Sequence, residues 1–407
     1  MTWYNKGIEV DNDFLINTGQ APAALVYSQD LIDAVRNGTN TNPLFGNTDW
    51  VGMLVGNNSQ SQHHSATISG GNSNTQYFAA INHMDQDGVV DNTNFKRYNV
   101  RTNLNSRLTD YLSVGLNVGL RNQVTNTPGI SPDNTAYMNP FYQAVRTLPN
   151  LPMFAPNGLP TSYNSNAGYV NPLAAVERSG YQKYNGNVFQ GQANVTLRVP
   201  GVEGLQAKLQ AAYDYSNQES KTWLTPYETM GRGRDQVSGD YVALSTLPGI
   251  TKSTLRQGYS ASYRKTLQAS MNYDKVIATD HNLSVLALYE FSGQKGNLFS
   301  TGAANFPIDI IQEIDYGSKD PLDYVMPTGS SDAEQARAGF VARVNYAYKS
   351  GQKNFLQRIL RGVLEHIARH RTADIWKQKR GKKRDTYGMI YRAILEPICY
   401  VVGKVGR

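Results

Sequence analysis

The chain has 407 residues, a net charge of +7, one cysteine (Cys399) and no run of 18 or more apolar residues. The single cysteine excludes an internal disulfide, and the missing apolar run excludes a transmembrane helix. The opening MTWYNKGIEV has no basic stretch followed by an apolar one, so we expect no secretory signal there. High glycine (36) and tyrosine (26) contents with 17% charged residues suit many strands joined by polar loops.

The clearest predicted strand is YLSVGLNVGLRN at 111–122. Its residues Leu112, Val114, Leu116, Val118 and Leu120 fall on one side of an extended chain, and Ser, Gly, Asn and Arg fall on the other. The same alternation recurs along the chain, more weakly in its first two runs. In order, the predicted strands are 62–69, 76–86, 98–108, 111–121, 188–199, 205–216, 266–274, 282–291 and 338–348. Each apolar row must face either a protein core or a lipid bilayer.

Charge placement and strand length favour lipid. The seven clear runs contain nine charged residues, all opposite the apolar row: Arg101, Arg107, Arg121, Arg198, Lys208, Asp214, Asp274, Glu290 and Arg343. A charge facing lipid costs about 2–4 kcal/mol at the bilayer midplane. The runs span 9 to 12 residues, as a tilted membrane strand needs, whereas soluble strands usually have about five or six. The alternative is a soluble β-rich glycan-binding module whose apolar rows meet in a sandwich core.

The links between the predicted strands alternate in length. Short turns fall at 70–75, 109–110, 200–204 and 275–281, and long links span 122–187, 217–265 and 292–337. Outer-membrane barrels have this pattern, with short periplasmic turns and long outer loops. We therefore predict an all-β fold that is part of a large antiparallel transmembrane β-barrel, with about nine or ten strands present.

A family resemblance agrees with this fold. The segment ATISGGNSNTQYFAAINHMDQDGVVDNTNFKRYNVRTNLNSRLTDYLSVGLNVGL at 66–120, after NTDW at 47–50, resembles the SusC/RagA-type TonB-linked transporters of the outer membrane. NPFYQAVRTLPNLPMFAPNG at 139–158 and NPLAAVERSGYQKYNGNVFQGQANV at 171–195 fit the same family. The resemblance covers about residues 1–350. It implies import of oligosaccharides or peptides with a SusD-type surface lipoprotein and TonB as partners.

The resemblance also implies that this chain is a fragment, because the family closes 22 strands around an N-terminal plug. We expect the plug, the TonB-contacting segment and the remaining strands to lie outside it, with transport belonging to the full-length outer-membrane protein. Six aromatic residues of the proline-rich link 122–187 are candidates for contact with the substrate or the lid protein. They are Tyr137, Phe141, Tyr142, Phe154, Tyr163 and Tyr169.

The last part of the chain differs from the rest. Residues 351–407 carry 14 Lys or Arg against four Asp or Glu, whereas residues 1–350 carry 25 against 28. Apolar residues between Phe355 and Ile367 recur at helical spacing, and KQKRGKKR follows at 377–384. We predict three regions: a lead-in strand and loop region (1–60), a partial barrel with long outer loops (61–350) and an unrelated, helical basic tail (351–407). We interpret the seam near Ser350 as a frameshift, fusion or assembly join; the alternative is a tail that binds nucleic acid or an anionic surface.

No sequence motif indicates catalysis. His63 and His64 are adjacent in a predicted strand and so point to opposite faces, and no third ligand joins His366 and His370. DQDG at 85–88 lacks the spacing of a calcium loop, and GRGRD at 231–235 lacks the GK[ST] ending of a phosphate loop. We therefore predict that the chain is not an enzyme and has no catalytic, cofactor-binding or metal-binding residues.

Overall fold

The computed structural model describes residues 1–56, 58–130, 139–162, 171–232, 241–245, 251–278, 280–331, 334–348, 354–368 and 394–396. Its main feature is a 12-stranded antiparallel sheet in which sequential long strands are neighbours. Five α-helices lie in the described chain: α1 (Thr2–Asn17), α2 (Gln29–Asn37), α3 (Trp50–Val55), α4 (Pro140–Arg146) and α5 (Pro172–Arg178). No helix among these residues is long and apolar enough to cross a membrane.

Ten long strands form the body of the sheet, and three of them reach 20 residues or more. They are β1 (Ser61–Gly71), β2 (Thr75–Asp87), β3 (Asn94–Arg107), β4 (Leu112–Pro128), β6 (Gly180–Arg198), β7 (Leu205–Leu224), β10 (Thr254–Ile277), β11 (His281–Ala304), β13 (Glu334–Tyr348) and β14 (Asn354–Ala368). The short strands β12 (Tyr324–Ser331) and β15 (Ile394–Glu396) pair with β11 and β14. A separate small sheet contains β5 (Thr161–Ser162), β8 (Glu228–Arg232) and β9 (Tyr241–Ser245).

All nine predicted strands are present, but most extend further at the end that carries the long links. The three long links are correspondingly shorter than predicted, because β4 continues to Pro128, β7 to Leu224 and β11 to Ala304. In these extensions polar residues occupy both faces, so the alternation stops although the backbone hydrogen bonds continue. Periodicity therefore located the part of each strand that has an apolar face, not its full length.

The backbone register joins the predicted apolar rows into one surface. Leu116 is paired with Ala193, Ala193 with Ala211, Ala211 with Leu267 and Leu267 with Phe291. We call the surface formed by these rows the apolar face. Its side chains remain exposed, with 42% for Leu116, 42% for Val195 and 50% for Leu209. A sandwich core would bury these residues, so the soluble-module alternative is wrong for this face.

The opposite surface, which we call the polar face, carries all nine of the charged residues considered above. Arg101 is paired with Gly119, Gly119 with Gln190, Gln190 with Asp214 and Asp214 with Arg264. The register therefore confirms that these nine charged residues lie opposite the apolar rows. His63 and His64 pair with consecutive residues of β2 and so lie on opposite faces, as predicted.

The apolar face has a defined upper limit towards the long links. On β7 it runs from Leu205 to Tyr215, about 33 Å along the strand, or about 25 Å along the barrel axis at a tilt of about 40°. An aromatic belt marks this limit, with ring centroids 6.2 Å apart for Phe189 and Tyr213 and 6.4 Å apart for Tyr213 and Tyr263. Above it Asn122 donates hydrogen bonds to Asn185 and Asn187 at 3.0 and 2.7 Å.

Two predicted elements differ from the structure. The region 1–60 was expected to contain a lead-in strand, but its described residues form helices α1, α2 and α3 and no strand. In the tail, the helix predicted between Phe355 and Ile367 is wrong, because Asn354–Ala368 forms strand β14 paired with β13. The open edge of β13 offers a row of unpaired backbone groups, and satisfying them outweighs local helical periodicity. The basic cluster at 377–384 lies outside the described residues.

Candidate functional site

A small apolar core lies in the link between β4 and β6, which the structure places at 129–179. We call it the loop core: the buried residues Trp50, Leu54, Val90, Ala144, Leu151 and Val176, from α3, the β2–β3 link, α4, the segment that follows α4, and α5. The Trp50 indole Nε1 donates to the carbonyl oxygen of Leu148 at 3.1 Å, and the Thr48 hydroxyl donates to that of Leu151 at 2.7 Å. Segments about 100 residues apart are therefore held together.

Two Asn-Pro dipeptides begin the helices of the loop core. Asn139 accepts from the backbone N–H groups of Phe141 and Tyr142, and Asn171 accepts from those of Leu173 and Ala174. Asparagine satisfies N–H groups that have no partner inside the helix, and proline is favoured at the first helical position. Because the same dipeptide opens both short helices, their starting points are encoded locally.

Asn171 also has a second structural role. It is only 2% exposed, and its amide nitrogen donates to the carbonyl oxygen of Thr161 at 2.9 Å. Thr161 belongs to β5, which pairs with β8 in the next long link. The Asn171 side chain therefore connects the start of α5 to the small sheet that joins two loops.

The base of the link is fixed to the main sheet. The backbone N–H of Gly129 donates to the carbonyl of Gly180 at 3.0 Å, and the N–H of Ile130 donates to the Ser179 hydroxyl at 3.0 Å. Ser179 is fully buried, and its carbonyl accepts from the N–H of Thr225 at 3.0 Å. These bonds position the loop core directly above β4, β6 and β7.

Three of the six predicted aromatic contact residues fall within the described part of the chain. Phe141, Tyr142 and Phe154 are all exposed, at 38%, 45% and 44%, whereas their neighbours Gln143, Ala144 and Ala155 are buried. Tyr137, Tyr163 and Tyr169 lie outside the described residues. The three described rings are therefore available for contact, and the buried neighbours are those that hold the link in place.

Helix α4 presents a wider apolar surface than the sequence prediction included. Val145 is exposed four residues after Phe141 and so shares its side of the helix, and Leu148, two residues beyond the end of α4, is also exposed. The Arg146 guanidinium lies 5.5 Å from the centre of the Tyr142 ring. The i, i+4 spacing of Phe141 and Val145 was visible in the sequence but could not by itself show which side of the helix was buried.

A second apolar cluster covers the extended ends of β7, β10 and β11. It contains Trp223, Leu255, Ala303 and Phe306, with the Trp223 and Phe306 rings edge-to-face at 4.9 Å. The link after β11 folds back on it, since Tyr181 donates a hydrogen bond to Gln312 at 2.6 Å and Lys221 pairs with Glu313 at 3.2 Å.

The carboxylate of Asp323 fixes the far end of that link. It accepts from Lys252 Nζ at 2.6 Å and from Asn305 Nδ2 at 2.9 Å. These hydrogen bonds, first that from Lys252, lower the pKa of the Asp323 carboxyl to about 2. Asn305 has a positive φ of 57°, a conformation that asparagine tolerates better than most residues.

Below the loops, the polar face contains a cavity of about 390 Å³. Polar residues dominate its lining, among them Arg121, Gln123, Ser216, Gln218 and Ser260. Nearer the turns, Gln210 donates to Gln268 at 3.3 Å and Gln268 donates to Glu290 at 2.5 Å. Amide and hydroxyl groups in this arrangement can form many hydrogen bonds with a polar solute and supply no nucleophile with an adjacent base.

The chain is similar to several proteins that are named as TonB-dependent receptors. No protein-family model matches the chain. It is 25% identical over 362 residues to TonB-dependent receptor P3 and 23% identical over 313 residues to TonB-dependent receptor P26, both from Formosa agariphila. It is 26% identical over 196 residues to the TonB-dependent receptor SusC of Bacteroides thetaiotaomicron. These alignments cover 86%, 75% and 44% of the chain.

The chain spans a third or less of each relative: 33% of P3, 28% of P26 and 19% of SusC. Among solved structures, it resembles the RagAB peptide transporter with a TM-score of 0.61 and 21% identity, over 82% of this chain and 35% of that one. The RagAB peptide importer in its open-open state gives a TM-score of 0.60 with 20% identity, over 88% of this chain and 39% of that one. The fold is thus part of a large antiparallel transmembrane β-barrel, and the predicted SusC/RagA-type resemblance is confirmed.

Proposed function

We propose that this chain, a stretch homologous to SusC/RagA-type TonB-dependent receptors, forms part of the wall and outer loops of an outer-membrane importer. Its cargo is an oligosaccharide or another large nutrient such as a peptide, and its partners are a SusD-type surface lipoprotein and TonB. The observation that carries this proposal is the separation of the two faces of one sheet. The exposed apolar face suits lipid, and the polar face with its cavity suits a solute pathway.

The exposed rings of the loop core support a role in capture at the outer end of this pathway. Phe141, Tyr142 and Phe154 stand on a link whose helix starts, base and core are all fixed. Rings held on a rigid support lose little conformational freedom when they bind a flat apolar surface. Sugar rings and peptide side chains both offer such surfaces, and so does a protein lid.

Uptake by cells tests the transport proposal directly. In the source organism, cells in which the gene is disrupted should lose uptake of one class of labelled nutrient, either a mixture of oligosaccharides or a mixture of peptides. Disrupting the inner-membrane energy supply should have the same effect. Unchanged uptake of both mixtures, or recovery of the protein in soluble fractions, would contradict the proposal.

Single ring variants test the loop core. Phe154→Ala should raise the substrate concentration needed for half-maximal uptake about twofold to tenfold, since stacking on one ring contributes about 0.5–1.5 kcal/mol. Phe14→Ala is the matched control, because Phe14 is an exposed phenylalanine on α1, and it should leave uptake unchanged. If Phe154→Ala releases the lid lipoprotein on co-purification but preserves substrate affinity, the ring contacts the lid instead. If Phe154→Ala changes neither substrate affinity nor binding of the lid lipoprotein, Phe154 does not belong to the site.

A further inference from the structure

Two lysines lie where a membrane strand would be expected to carry only apolar or aromatic side chains. Lys265 of β10 shares its side of the strand with Leu267 and Tyr263, which belong to the apolar face and its aromatic belt. Lys295 of β11 lies on the same side, four residues beyond Phe291. Both lysines therefore lie at the upper limit of the apolar face.

The register makes these lysines close neighbours. Lys265 is paired with Gly293, and Lys295 is paired with Tyr263. The two are thus a diagonal cross-strand pair, with backbones about 7–8 Å apart. On its other side Lys265 faces Tyr213, and its ammonium group lies 5.3 Å from the centre of the Tyr263 ring. The positive charges of Lys265 and Lys295 therefore lie next to each other and beside the aromatic rings of Tyr213 and Tyr263.

Their charge is poorly compensated within the described part of the chain. Lys265 has no ion pair there, and the one carboxylate near Lys295 is Glu334 at 3.9 Å, with both of those side chains about half exposed. Such a long, exposed pair is weak. The nearest carboxylate on this side of β7, Glu219, lies six residues from the position opposite Lys265, about 20 Å along the strand.

We propose that Lys265 and Lys295 form a binding site for the phosphate headgroup of an anionic lipid. The position identifies the occupant: Leu267 and Phe291 directly below would contact acyl chains, while the ammonium groups extend towards the headgroup level. The neighbouring tyrosines Tyr213 and Tyr263 suit the same interfacial depth. This site faces lipid, away from the solute pathway, and is additional to transport.

Lipid binding to the purified full-length transporter in detergent provides the test, measured by native mass spectrometry. Phosphatidylglycerol, phosphatidylcholine and inorganic phosphate are the probes. The wild type should prefer phosphatidylglycerol, and the preference should weaken as salt is raised from 0.05 to 0.5 M. Lys265→Gln/Lys295→Gln should bind phosphatidylglycerol about 25-fold more weakly, since each ammonium group near an anionic lipid contributes about a fivefold factor.

Lys6→Gln/Lys319→Gln is the matched control, because it removes the same charge from exposed positions on α1 and in the link after β11, and it should bind as the wild type does. Heat-modifiable migration on gels should be the same in all three proteins, so that misfolding is not mistaken for lost binding. Equal binding of both lipids, an unchanged double variant, or competition by millimolar inorganic phosphate would overturn the proposal. None of these measurements depends on nutrient uptake, so the lipid-binding proposal and the transport proposal can fail independently of each other.

Discussion

The apolar face and the loop core use the same kinds of side chain in opposite ways. Leu209 on the apolar face is half exposed, whereas Leu54 in the loop core is 3% exposed. The first belongs to a row repeated across neighbouring strands, and the second is covered by residues from three separate segments. An apolar residue therefore does not show by itself whether its partner is lipid or protein.

The difference matters for how each region tolerates change. On the apolar face, any apolar side chain can contact fluid lipid, and a charge is the costly substitution. In the loop core, shape matters as well, because a smaller side chain leaves a cavity that the surrounding segments cannot fill completely. Charged substitutions on the apolar face should therefore reduce assembly into the membrane, whereas substitutions in the loop core should reduce resistance to protease.

The largest expected effect belongs to the loop core. Trp50→Ala removes a buried ring and the hydrogen bond to Leu148, and should destabilise the loop core by about 3–5 kcal/mol. Limited proteolysis should then cut the link 129–179, while the apolar face still partitions into membranes. Trp3→Ala is the control, since Trp3 is 87% exposed. If the wild type and Trp50→Ala resist protease equally well, Trp50 does not stabilise the loop core.

The apolar face is tested by a pair of neighbours on β7. Leu209→Arg places a charge towards lipid at a cost of about 2–4 kcal/mol, and should reduce the heat-modifiable, membrane-extracted fraction. Gln210→Arg places the same charge on the polar face, where Gln210 lies opposite Gln268. It should assemble as the wild type does. If both variants assemble equally well, the assignment of the two faces is wrong.

The two Asn-Pro helices allow a finer comparison within the loop core. Asn139→Ala removes the N-cap of α4 and should cost about 1 kcal/mol. Asn171→Ala removes the equivalent cap of α5 and also the buried hydrogen bond to Thr161, so it should cost about 1 kcal/mol more. Urea-dependent proteolysis of the 129–179 link measures both. Equal losses would show that the bond to Thr161 adds nothing.

The smallest effect concerns the pH dependence of the link after β11. Because the folded pKa of Asp323 is about 2, below its ordinary value of 3.8, its bonds to Lys252 and Asn305 stabilise the link fully above about pH 4. That stabilisation is lost as the pH falls from 4 through 2. Asp323→Asn should flatten this dependence in hydrogen exchange of residues 305–323, and Asp315→Asn should not. The same profile in the wild type and Asp323→Asn would contradict this assignment.

Sequence periodicity predicted which residues lie on each face of a strand more reliably than it predicted where the strand begins and ends. The apolar rows of β4, β6 and β7 could be read from alternate residues, because lipid exposure imposes the same requirement at every second position. The extension of β10 to 24 residues could not be predicted from alternation, because polar side chains such as Arg256, Gln257 and Ser260 occur on both faces of its upper half. The helices α4 and α5 had visible start signals in their Asn-Pro dipeptides, although the sequence had predicted only a loop there.

The candidate site was predictable only in part. Phe141, Tyr142 and Phe154 were identified as rings on a long link, and the structure adds that they are exposed above a fixed core. Trp50 was not predicted to belong to that core, since it lies about 100 residues from its hydrogen-bond acceptor Leu148. The polar cavity is likewise assembled from five different strands.

What the sequence by itself determined is the chemistry of each strand face, because that depends on alternation between neighbouring residues and on the high cost of a charge in lipid. The tertiary structure alone decided which segments form the loop core, that Asn354–Ala368 pairs as a strand, and that Lys265 and Lys295 become neighbours. These features depend on which backbone edges and side chains meet across the fold. Contacts between distant segments are set by the free energy of the whole arrangement, so no local pattern could specify them.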